Sequence, residues 1–319
     1  MKCNPIKINE LKENLPERLD LVICCASFEK RCESLIYYLN REINCSNFLI
    51  VYNSNEYKEI NDKAKFLNSI VLNSELIELD SDNPLSNALI FKMILNRVIY
   101  EKNINNIFLD ITTFTHESLL IIFKLLYERK TSYTNLWLGY VGAKEYSTNV
   151  PNVDEKWLTS GISSIRSIIG FPGVISPARK SHLIVLFGFE LERAELLITD
   201  LQFDRISLGF GDKELSIRNE HQELNHKRYL KLIEKFPNAE QFCFNLVDIE
   251  SAKKDIENQI SKYPEDNIVI APLNNKISTL GAGLVAINNP RIQLIYAKPI
   301  IYNIEGYSEA DNNTYLFSI

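Results

Sequence analysis

The chain lacks the motifs that announce the common nucleotide, metal and redox sites. No GxGxxG follows the first predicted strand, and no GKS or GKT marks a phosphate-binding P-loop. The six cysteines form no CxxC pair, and the four histidines are too few to indicate a catalytic scheme. His221 and His226 are five residues apart, a spacing that does not suit two zinc ligands on one helical face, so we expect solvated surface there. The sequence therefore predicts neither a metal site nor a bound cofactor.

Long apolar runs and a basic surface are also missing. No segment reaches the roughly 18 apolar residues that suggest a membrane span, and the N-terminus has no signal-peptide core. We therefore expect a cytoplasmic protein without membrane contact. The formal charge of −6 and the pI near 5.5 disfavour general binding of duplex nucleic acid. Cys24 and Cys25 end an apolar segment, which predicts reduced thiols that act as small core side chains.

The 319 residues exceed the usual size of one hydrophobic core and predict two domains of about 150 residues. Continuous apolar segments alternate with amphipathic ones in both halves, which is typical of a parallel sheet covered by helices on both faces. We predict an α/β fold of two tandem, doubly wound, Rossmann-like domains with mainly parallel sheets. The predicted boundaries are 1–150 for the first domain, 151–181 for a connection rich in Gly, Ser and Pro, and 182–319 for the second domain.

Hydrophobic periodicity gives the individual elements. The predicted strands are Leu21–Cys25, Phe48–Tyr52, Leu76–Leu79, Ile107–Ile111 and Leu136–Val141, then Leu183–Phe187, Arg205–Leu208, Gln241–Leu246, Asn267–Ile270 and Gln293–Tyr296. The predicted helices are Lys30–Asn40, Tyr57–Ser69, Pro84–Glu101 and Glu117–Arg129, then Glu190–Leu201, Gln222–Phe236, Ser251–Tyr263 and Ser278–Ile287.

Two segments resemble each other and predict an internal duplication. LVICCASFEKRCESLIYYLN at Leu21–Asn40 is similar to LIVLFGFELERAELLITDL at Leu183–Leu201. With one insertion, the shared side chains are Phe28, Glu29, Arg31 and Glu33 in the first copy and Phe189, Glu190, Arg193 and Glu195 in the second. Arginine can bind a phosphate and glutamate a ribose hydroxyl. We therefore predict pocket residues in both copies, namely Ser27, Phe28, Glu29 and Arg31, and Glu190 and Arg193. A purely structural Glu–Arg pair is the alternative.

The strongest chemical candidate is LDITTFTHESLL at Leu109–Leu120, a strand end followed by the start of a helix. Ligands of doubly wound sheets bind at the carboxyl ends of the strands, and a helix N-terminus offers N–H groups to an anion. The predicted ligand-binding residues of this loop are Asp110, Thr112, Thr113, Thr115 and His116. In the alternative interpretation Thr113 or Thr115 caps the helix and Asp110 supports the turn.

The corresponding loop of the second half is APLNNKISTLGAGLVA at Ala271–Ala286. Asn274, Asn275 and Lys276 precede its helix, and the lysine can pair with a phosphate. We predict that these three residues also bind the ligand. The alternative is a purely structural polar loop followed by a core helix that contains glycines.

LDITTFTHESLL resembles the fourth-strand signature of CARF-type Rossmann domains, and APLNNKISTLGAGLVA is similar in layout to the related SAVED domains. The resemblance implies recognition of a cyclic oligonucleotide messenger in prokaryotic antiviral defence, with the output passed to an effector. The chain departs from the pattern at Phe114, Thr115 and His116, where many CARF domains have Gly-Gly-Thr-Lys.

The leading hypothesis is therefore a subunit that binds a nucleotide-derived small molecule, acts through a protein effector partner and is compatible with a homo-oligomer. The competing hypothesis is a metal-independent nucleotide hydrolase with His116 or Glu117 as acid or base and Lys276 on the phosphate. The absence of an activated nucleophile favours binding over catalysis. A structural adaptor that binds only protein is a third hypothesis.

Overall fold

The computed structural model describes residues 5–319, apart from the side chain of Leu215, and has the predicted α/β fold with mostly parallel strands. The chain forms two compact units. Among the described residues, the first unit comprises residues 5–144 together with Ser308–Ile319, and the second unit comprises Glu145–Tyr307.

These units differ from the predicted domain boundaries at three places. Residues 145–150, assigned to the first domain, belong to the second unit. Residues 151–181, predicted as a connection, belong to the second unit, and Ser164–Pro172 within them is a strand of its sheet. Ser308–Ile319, assigned to the second domain, belongs to the first unit because it forms a further strand there. Apolar residues anchor both strands: Ile168 and Phe171 are buried in the first, and Tyr315 and Phe317 in the second, which is otherwise polar.

The first unit contains one large sheet and four α-helices, numbered along the whole chain. Its strands are β1 Ile6–Lys7, β2 Arg18–Leu19, β3 Leu21–Cys25, β4 Asn44–Cys45, β5 Phe48–Asn53, β6 Ser74–Leu79, β7 Asn106–Asp110, β8 Asn135–Tyr146 and the last strand of the chain, β17 Ser308–Ser318. Its helices are α1 Ser34–Glu42, α2 Lys58–Ile70, α3 Pro84–Glu101 and α4 His116–Tyr127, with 3-10 turns at Ile8–Asn14 and Lys30–Glu33. The large sheet has the order β1-β17-β8-β7-β3-β5-β6, and β2 pairs with β4 separately.

The second unit has a similar plan. Its strands are β9 Thr159–Ser160, β10 Ser164–Pro172, β11 Ser181–Leu186, β12 Arg205–Gly211, β13 Glu240–Phe244, β14 Asn267–Pro272, β15 Gln293–Lys298 and β16 Ile301–Tyr302. Its helices are α5 Leu191–Asp200, α6 Asn219–Lys235, α7 Ile249–Ser261 and α8 Lys276–Asn288, with 3-10 turns at Val153–Glu155 and Lys213–Leu215. The sheet order is β10-β15-β14-β11-β12-β13, with only β10 antiparallel to its neighbour, and β9 pairs with β16 separately.

Five parallel strands in each unit share one order, with the first strand of the set at the centre and the fourth beside it. In the first unit β3 and β7 are these neighbours, and in the second unit they are β11 and β14. The second and third parallel strands lie on one side of the first, and the fourth and fifth lie on its other side. The strand order therefore reverses between the first and fourth strands, and this switch point is where doubly wound folds bind ligands. Descent of the two units from one ancestor stays a prediction.

The central strands are apolar along their whole length because helices cover both faces of each sheet. All five residues of β3 are buried, which confirms that Cys24 and Cys25 are core side chains. Cys243, in contrast, is exposed at the edge strand β13. Within residues 5–319, every helix is too short or too polar to cross a membrane.

Candidate ligand site at the carboxyl edge of the first unit

The loops that follow β3 and β7 meet at the switch point of the first unit. The hydroxyl of Thr113 donates to the carbonyl oxygen of Cys25 at 2.6 Å and ties the two loops together. The hydroxyl of Thr112 accepts from the backbone N–H of Val141 at 3.1 Å, which ties the β7 loop to β8. The fold therefore brings the predicted residues of both loops to one edge of the sheet.

Asp110 ends β7 beneath these loops and is 2% exposed. Its Oδ1 accepts from the backbone N–H of Thr112 at 3.0 Å. Its Oδ2 is buried and has no hydrogen-bond partner in the part of the chain that the structure describes. Burial raises the pKa of Asp110 to about 7, against the opposing effects of hydrogen bonding to Thr112 and the charge of Arg31. A carboxyl group in this state can change its protonation near neutral pH.

The N-terminus of α4 stands directly after the Thr-rich loop. Thr115 is its N-cap, with the hydroxyl accepting from the backbone N–H of Ser118 at 3.1 Å, which confirms the capping interpretation for this residue. Thr113 does not cap the helix, since its hydroxyl is bonded to Cys25. His116 is half-buried in the first turn, and Glu117 beside it is buried at 4% exposure. The helix begins with N–H groups and an imidazole that suit an anionic ligand.

The repeated Glu–Arg motif forms a buried ion pair in the first unit. Arg31 Nη2 lies 2.6 Å from Glu29 Oε2, and Arg31 Nη1 donates to the carbonyl oxygen of Val141 at 3.0 Å. The hydroxyl of Ser308 donates to the same Glu29 oxygen at 2.6 Å. Ser27 contributes a turn, because its hydroxyl accepts from the Glu29 N–H, and the ring of Phe28 packs edge-on against Tyr57. These contacts favour the structural alternative for the pair.

The second unit repeats this arrangement. Arg193 pairs with Glu190 and donates to the carbonyl oxygen of Ala297. Ala297 in β15 and Val141 in β8 both lie in the fifth parallel strand of their unit. The hydroxyl of Thr159 binds the other oxygen of Glu190. In both units the Glu–Arg motif therefore joins the end of the first parallel strand to the fifth.

The Asn residues of the second unit replace the Thr residues of the first. Asn274 donates to the carbonyl oxygen of Phe187, as Thr113 does to Cys25. Asn275 caps α8, accepting from the Ser278 N–H at 2.9 Å, and donates to the carbonyl oxygen of Leu246 at 2.8 Å. These contacts support the alternative of a polar loop before a core helix, since residues 277–286 are all buried. Lys276 is half-buried in the first turn of that helix.

The two switch points differ at the end of the fourth parallel strand. By register, Pro272 stands in the second unit where Asp110 stands in the first. Sequence reasoning ranked the Thr-rich loop first but predicted ligand contact for both loops, because a polar loop before an apolar helix has the same pattern in either case. The carboxylate with a partnerless oxygen is confined to the first of these two positions.

Sequence reasoning missed a buried polar cluster at the amino edge of the second unit's sheet. The ring of His182 lies 2.7 Å from the hydroxyl of Ser207, and its other nitrogen lies 3.9 Å from Asp266. The arrangement of Ser207, His182 and Asp266 resembles a catalytic triad. However, His182 and Ser207 have no exposed surface, and Gln259 also donates to the Ser207 hydroxyl at 2.8 Å. Burial lowers the pKa of His182 to about 4. We interpret this cluster as a structural network.

The predicted solvated stretch around His221 is partly wrong. The ring of His221 packs against Tyr146 with centroids 4.8 Å apart, and burial lowers the pKa of His221 to about 4. His226 is exposed and stacks on Phe210. Across residues 5–319, no group of three or more His, Cys, Asp or Glu side chains could hold a metal ion.

Comparisons with known proteins give no family. No family model matches the chain, and no curated protein matches it. Among solved structures, the "crystal structure of an N-terminal ketoreductase from macrolactin assembly line" matches with 12% identity and a TM-score of 0.22, covering 85% of this chain. The chain spans 61% of the length of that protein.

Proposed function

We propose that the chain is a nucleotide-ligand binding subunit of a prokaryotic antiviral defence system that acts through a protein effector. The observation that carries the proposal is the partnerless Oδ2 of Asp110 at the switch point, beneath the N-terminus of α4. Isolated buried carboxylates are costly, so a fold that keeps one at a ligand-binding edge suggests a use for it.

The chemistry of the edge fits a phosphorylated ribose. The N–H groups of α4 and the imidazole of His116 would meet a phosphate, and a ribose hydroxyl would donate to Asp110 Oδ2. Because Oδ2 is enclosed, the hydroxyl reaches it only when the loop of residues 111–115 shifts. That shift would also disturb the bond between Thr113 and Cys25, and so would report the ligand to the rest of the first unit.

An exposed apolar stripe on α3 supports the proposed protein partner. Leu85, Leu89, Met93 and Tyr100 are each more than half exposed. At 3.6 residues per turn they fall within roughly 80° of arc, so they form one face of the helix. Contiguous apolar surface of this kind marks interaction sites in soluble proteins. The effector would pack on this face.

Calorimetry with the full chain tests the proposal, using cyclic oligonucleotides, mononucleotides and dinucleotides as titrants. We expect saturable binding of at least one of them and a loss of about tenfold or more in affinity for His116→Ala and for Asp110→Asn. Lys92→Ala, an exposed change on α3, is the matched control and should bind as the parent does. The proposal fails if no nucleotide saturates the chain, or if both site variants bind like Lys92→Ala.

One observation favours the hydrolase as a second candidate. The pKa of Asp110 near 7 suits a general acid or base at neutral pH. Incubation of the chain with each bound nucleotide, followed by chromatography, separates the two functions. Product that forms with the parent and is lost in Asp110→Asn would favour the hydrolase, whereas an unchanged nucleotide would favour sensing.

A further inference from the structure

The second unit contains a cavity of about 310 Å³ that the proposed function does not use. It lies among the segment that precedes β9, the first half of α5 and one face of α6. Its apolar surface comes from Trp157, Leu158, Phe189 and Leu191, of which Leu158 and Phe189 are buried. The volume suits a molecule the size of a single amino acid and is at the small end for ligand pockets.

The α6 wall of the cavity carries two cations, Arg228 and Lys231, that make no close ion pair with the described residues, although the charges of Asp154 and Glu190 act on Arg228. The guanidinium of Arg228 stacks over the ring of Phe189 at 4.3 Å and donates to the carbonyl oxygens of Phe189 and Lys156. Two of its five N–H groups are thereby used, and within residues 5–319 it forms no ion pair. Lys231, one turn further along α6, is exposed and has neither a hydrogen bond nor an ion pair in the described chain. An anionic group at this wall would find unused donors.

The α5 wall carries carboxylates with unused oxygens. Glu195 Oε2 pairs with Lys235 at 2.6 Å, whereas Glu195 Oε1 is buried and has no hydrogen-bond partner among the described residues. One oxygen of Glu192 accepts from the hydroxyl of Ser160 at 2.9 Å, and its other oxygen has no bond to the described chain. A cationic group at this wall would find unused acceptors.

The charges of the whole lining cancel. Four carboxylates, Asp154, Glu190, Glu192 and Glu195, face four cations, Lys156, Arg228, Lys231 and Lys235. A phosphate dianion would be repelled by the acids and a polyamine by the bases. A ligand with one charge of each sign satisfies both walls. The separation of the unused donors and acceptors onto different helices therefore selects a zwitterion.

We propose that this cavity binds a free α-amino acid with an apolar or aromatic side chain. Its carboxylate binds Arg228 and Lys231, and its ammonium group binds Glu192. The enclosed Oε1 of Glu195 becomes a second acceptor for the ammonium group when the Glu195 side chain turns. Its side chain packs on Trp157, which is 36% exposed and has no bonded partner for its indole N–H within the described residues. This site lies wholly in the second unit and does not depend on the nucleotide proposal.

Fluorescence of the full chain tests the inference, because Trp137 and Trp157 are its two tryptophans. In a Trp137→Phe background the signal comes from Trp157 alone, at the cavity. We expect saturable changes with phenylalanine or leucine, and affinities lower by about tenfold or more for N-acetyl-phenylalanine and phenylalanine amide. Each derivative removes one of the two charges.

Two variants test which wall binds the carboxylate of the amino acid and which wall binds its ammonium group. Lys231→Met should weaken binding of phenylalanine about tenfold but leave the weak binding of phenylalanine amide unchanged. Glu192→Gln should weaken phenylalanine in the same way and leave N-acetyl-phenylalanine unchanged. Lys254→Met, an exposed change on α7 outside the lining, is the matched control and should bind as the parent does.

Three results would overturn the inference. The first is no saturation by any apolar amino acid up to about 10 mM, well above the Kd of a functional site of this kind. The second is equal binding of phenylalanine and its two singly charged derivatives, which would mark a merely apolar cavity. The third is binding of inorganic phosphate that Lys231→Met abolishes while amino acids remain inert, which would mark an anion site. Circular dichroism of each variant verifies that the fold is retained.

Discussion

Asp110 makes the first unit sensitive to pH in a way that one substitution reveals. In the folded chain the pKa of this carboxyl is about 7, against its ordinary 3.8, because it is buried with one partnerless oxygen. Asp110→Asn keeps an oxygen for the N–H of Thr112 and removes the ionisable group. In the variant, a buried NH₂ group without a hydrogen-bond partner replaces Oδ2. This lowers the free energy of unfolding by about 1 to 3 kcal/mol at every pH.

Between pH 3.8 and about 7 the folded carboxyl holds a proton that the unfolded one has released. Stability therefore falls as pH rises through this window, by about 1.4 kcal/mol per pH unit. Over the whole window the loss approaches about 4 kcal/mol, which exceeds the cost of the unpaired NH₂. We expect Asp110→Asn to be less stable than the parent near pH 4 and more stable, by about 1 to 3 kcal/mol, at pH 8.

Urea unfolding of the full chain at several pH values between 4 and 8 measures this difference. A Trp157→Phe background leaves Trp137 in β8 as the fluorescent reporter of the first unit. Asp62→Asn, an exposed change on α2, is the control and should differ from the parent by a constant amount. A free-energy difference between Asp110→Asn and the parent that stays constant over the range would refute the reasoning, because it would mean that Asp110 is ionised in the folded chain.

Three further predictions concern the described contacts. The pKa of His182 is about 4 when folded, so the unfolded chain takes up a proton first as pH falls below 6.5, and this residue should lower the stability of the second unit by up to about 3 kcal/mol towards pH 4. His221 has a similarly lowered pKa and should add a similar loss, so His182→Gln should remove about half of the slope in urea unfolding followed by Trp157. Thr115→Ala and Asn275→Ala should each destabilise the chain by about 1 kcal/mol through the lost helix cap, with Thr115→Ser as the neutral control in thermal unfolding. Arg31→Met should cost about 3 to 5 kcal/mol without any ligand, because it leaves Glu29 buried and unpaired, and Glu29→Gln in the same chain should recover part of the loss; a stability equal to the parent's would mean that the pair has no structural role.

Strands and helices were predictable where apolar periodicity is strong. β3 and α3 begin and end at the predicted residues, because an unbroken apolar run and a proline at the helix start leave little choice. Lys30–Glu33 was predicted as helix but forms a 3-10 turn that tightens the start of α1. β17 was missed because its Asp and Asn residues disfavour strands by composition, and only pairing with a distant segment makes it one.

The location of the candidate site in the fold was predictable from the sequence, but the hydrogen-bond partners of its residues were not. Strand order at a doubly wound switch point follows from alternation of elements, so the sequence located Asp110 and the Thr-rich loop at the right edge. Which hydroxyl caps a helix and which ties two loops together depends on how β3, β7 and β8 are placed beside one another, which local sequence does not give. Thr113 and Thr115 have the same pattern in sequence and different partners in the fold.

Repetition within the chain identifies structural residues better than it identifies a ligand site. The Glu–Arg pairs of both units make the same bond to the fifth parallel strand, which is the contact that any copy of this fold must keep. Ligand chemistry is free to diverge once two copies exist, so it should be sought where matching positions differ. Asp110 against Pro272, and His116 against Lys276, are such differences at the end of the fourth strand and the start of its helix. By that argument a nucleotide that binds the first unit should be insensitive to Lys276→Met and sensitive to Asp110→Asn, and equal sensitivity to both changes would mean that the two loops serve one ligand.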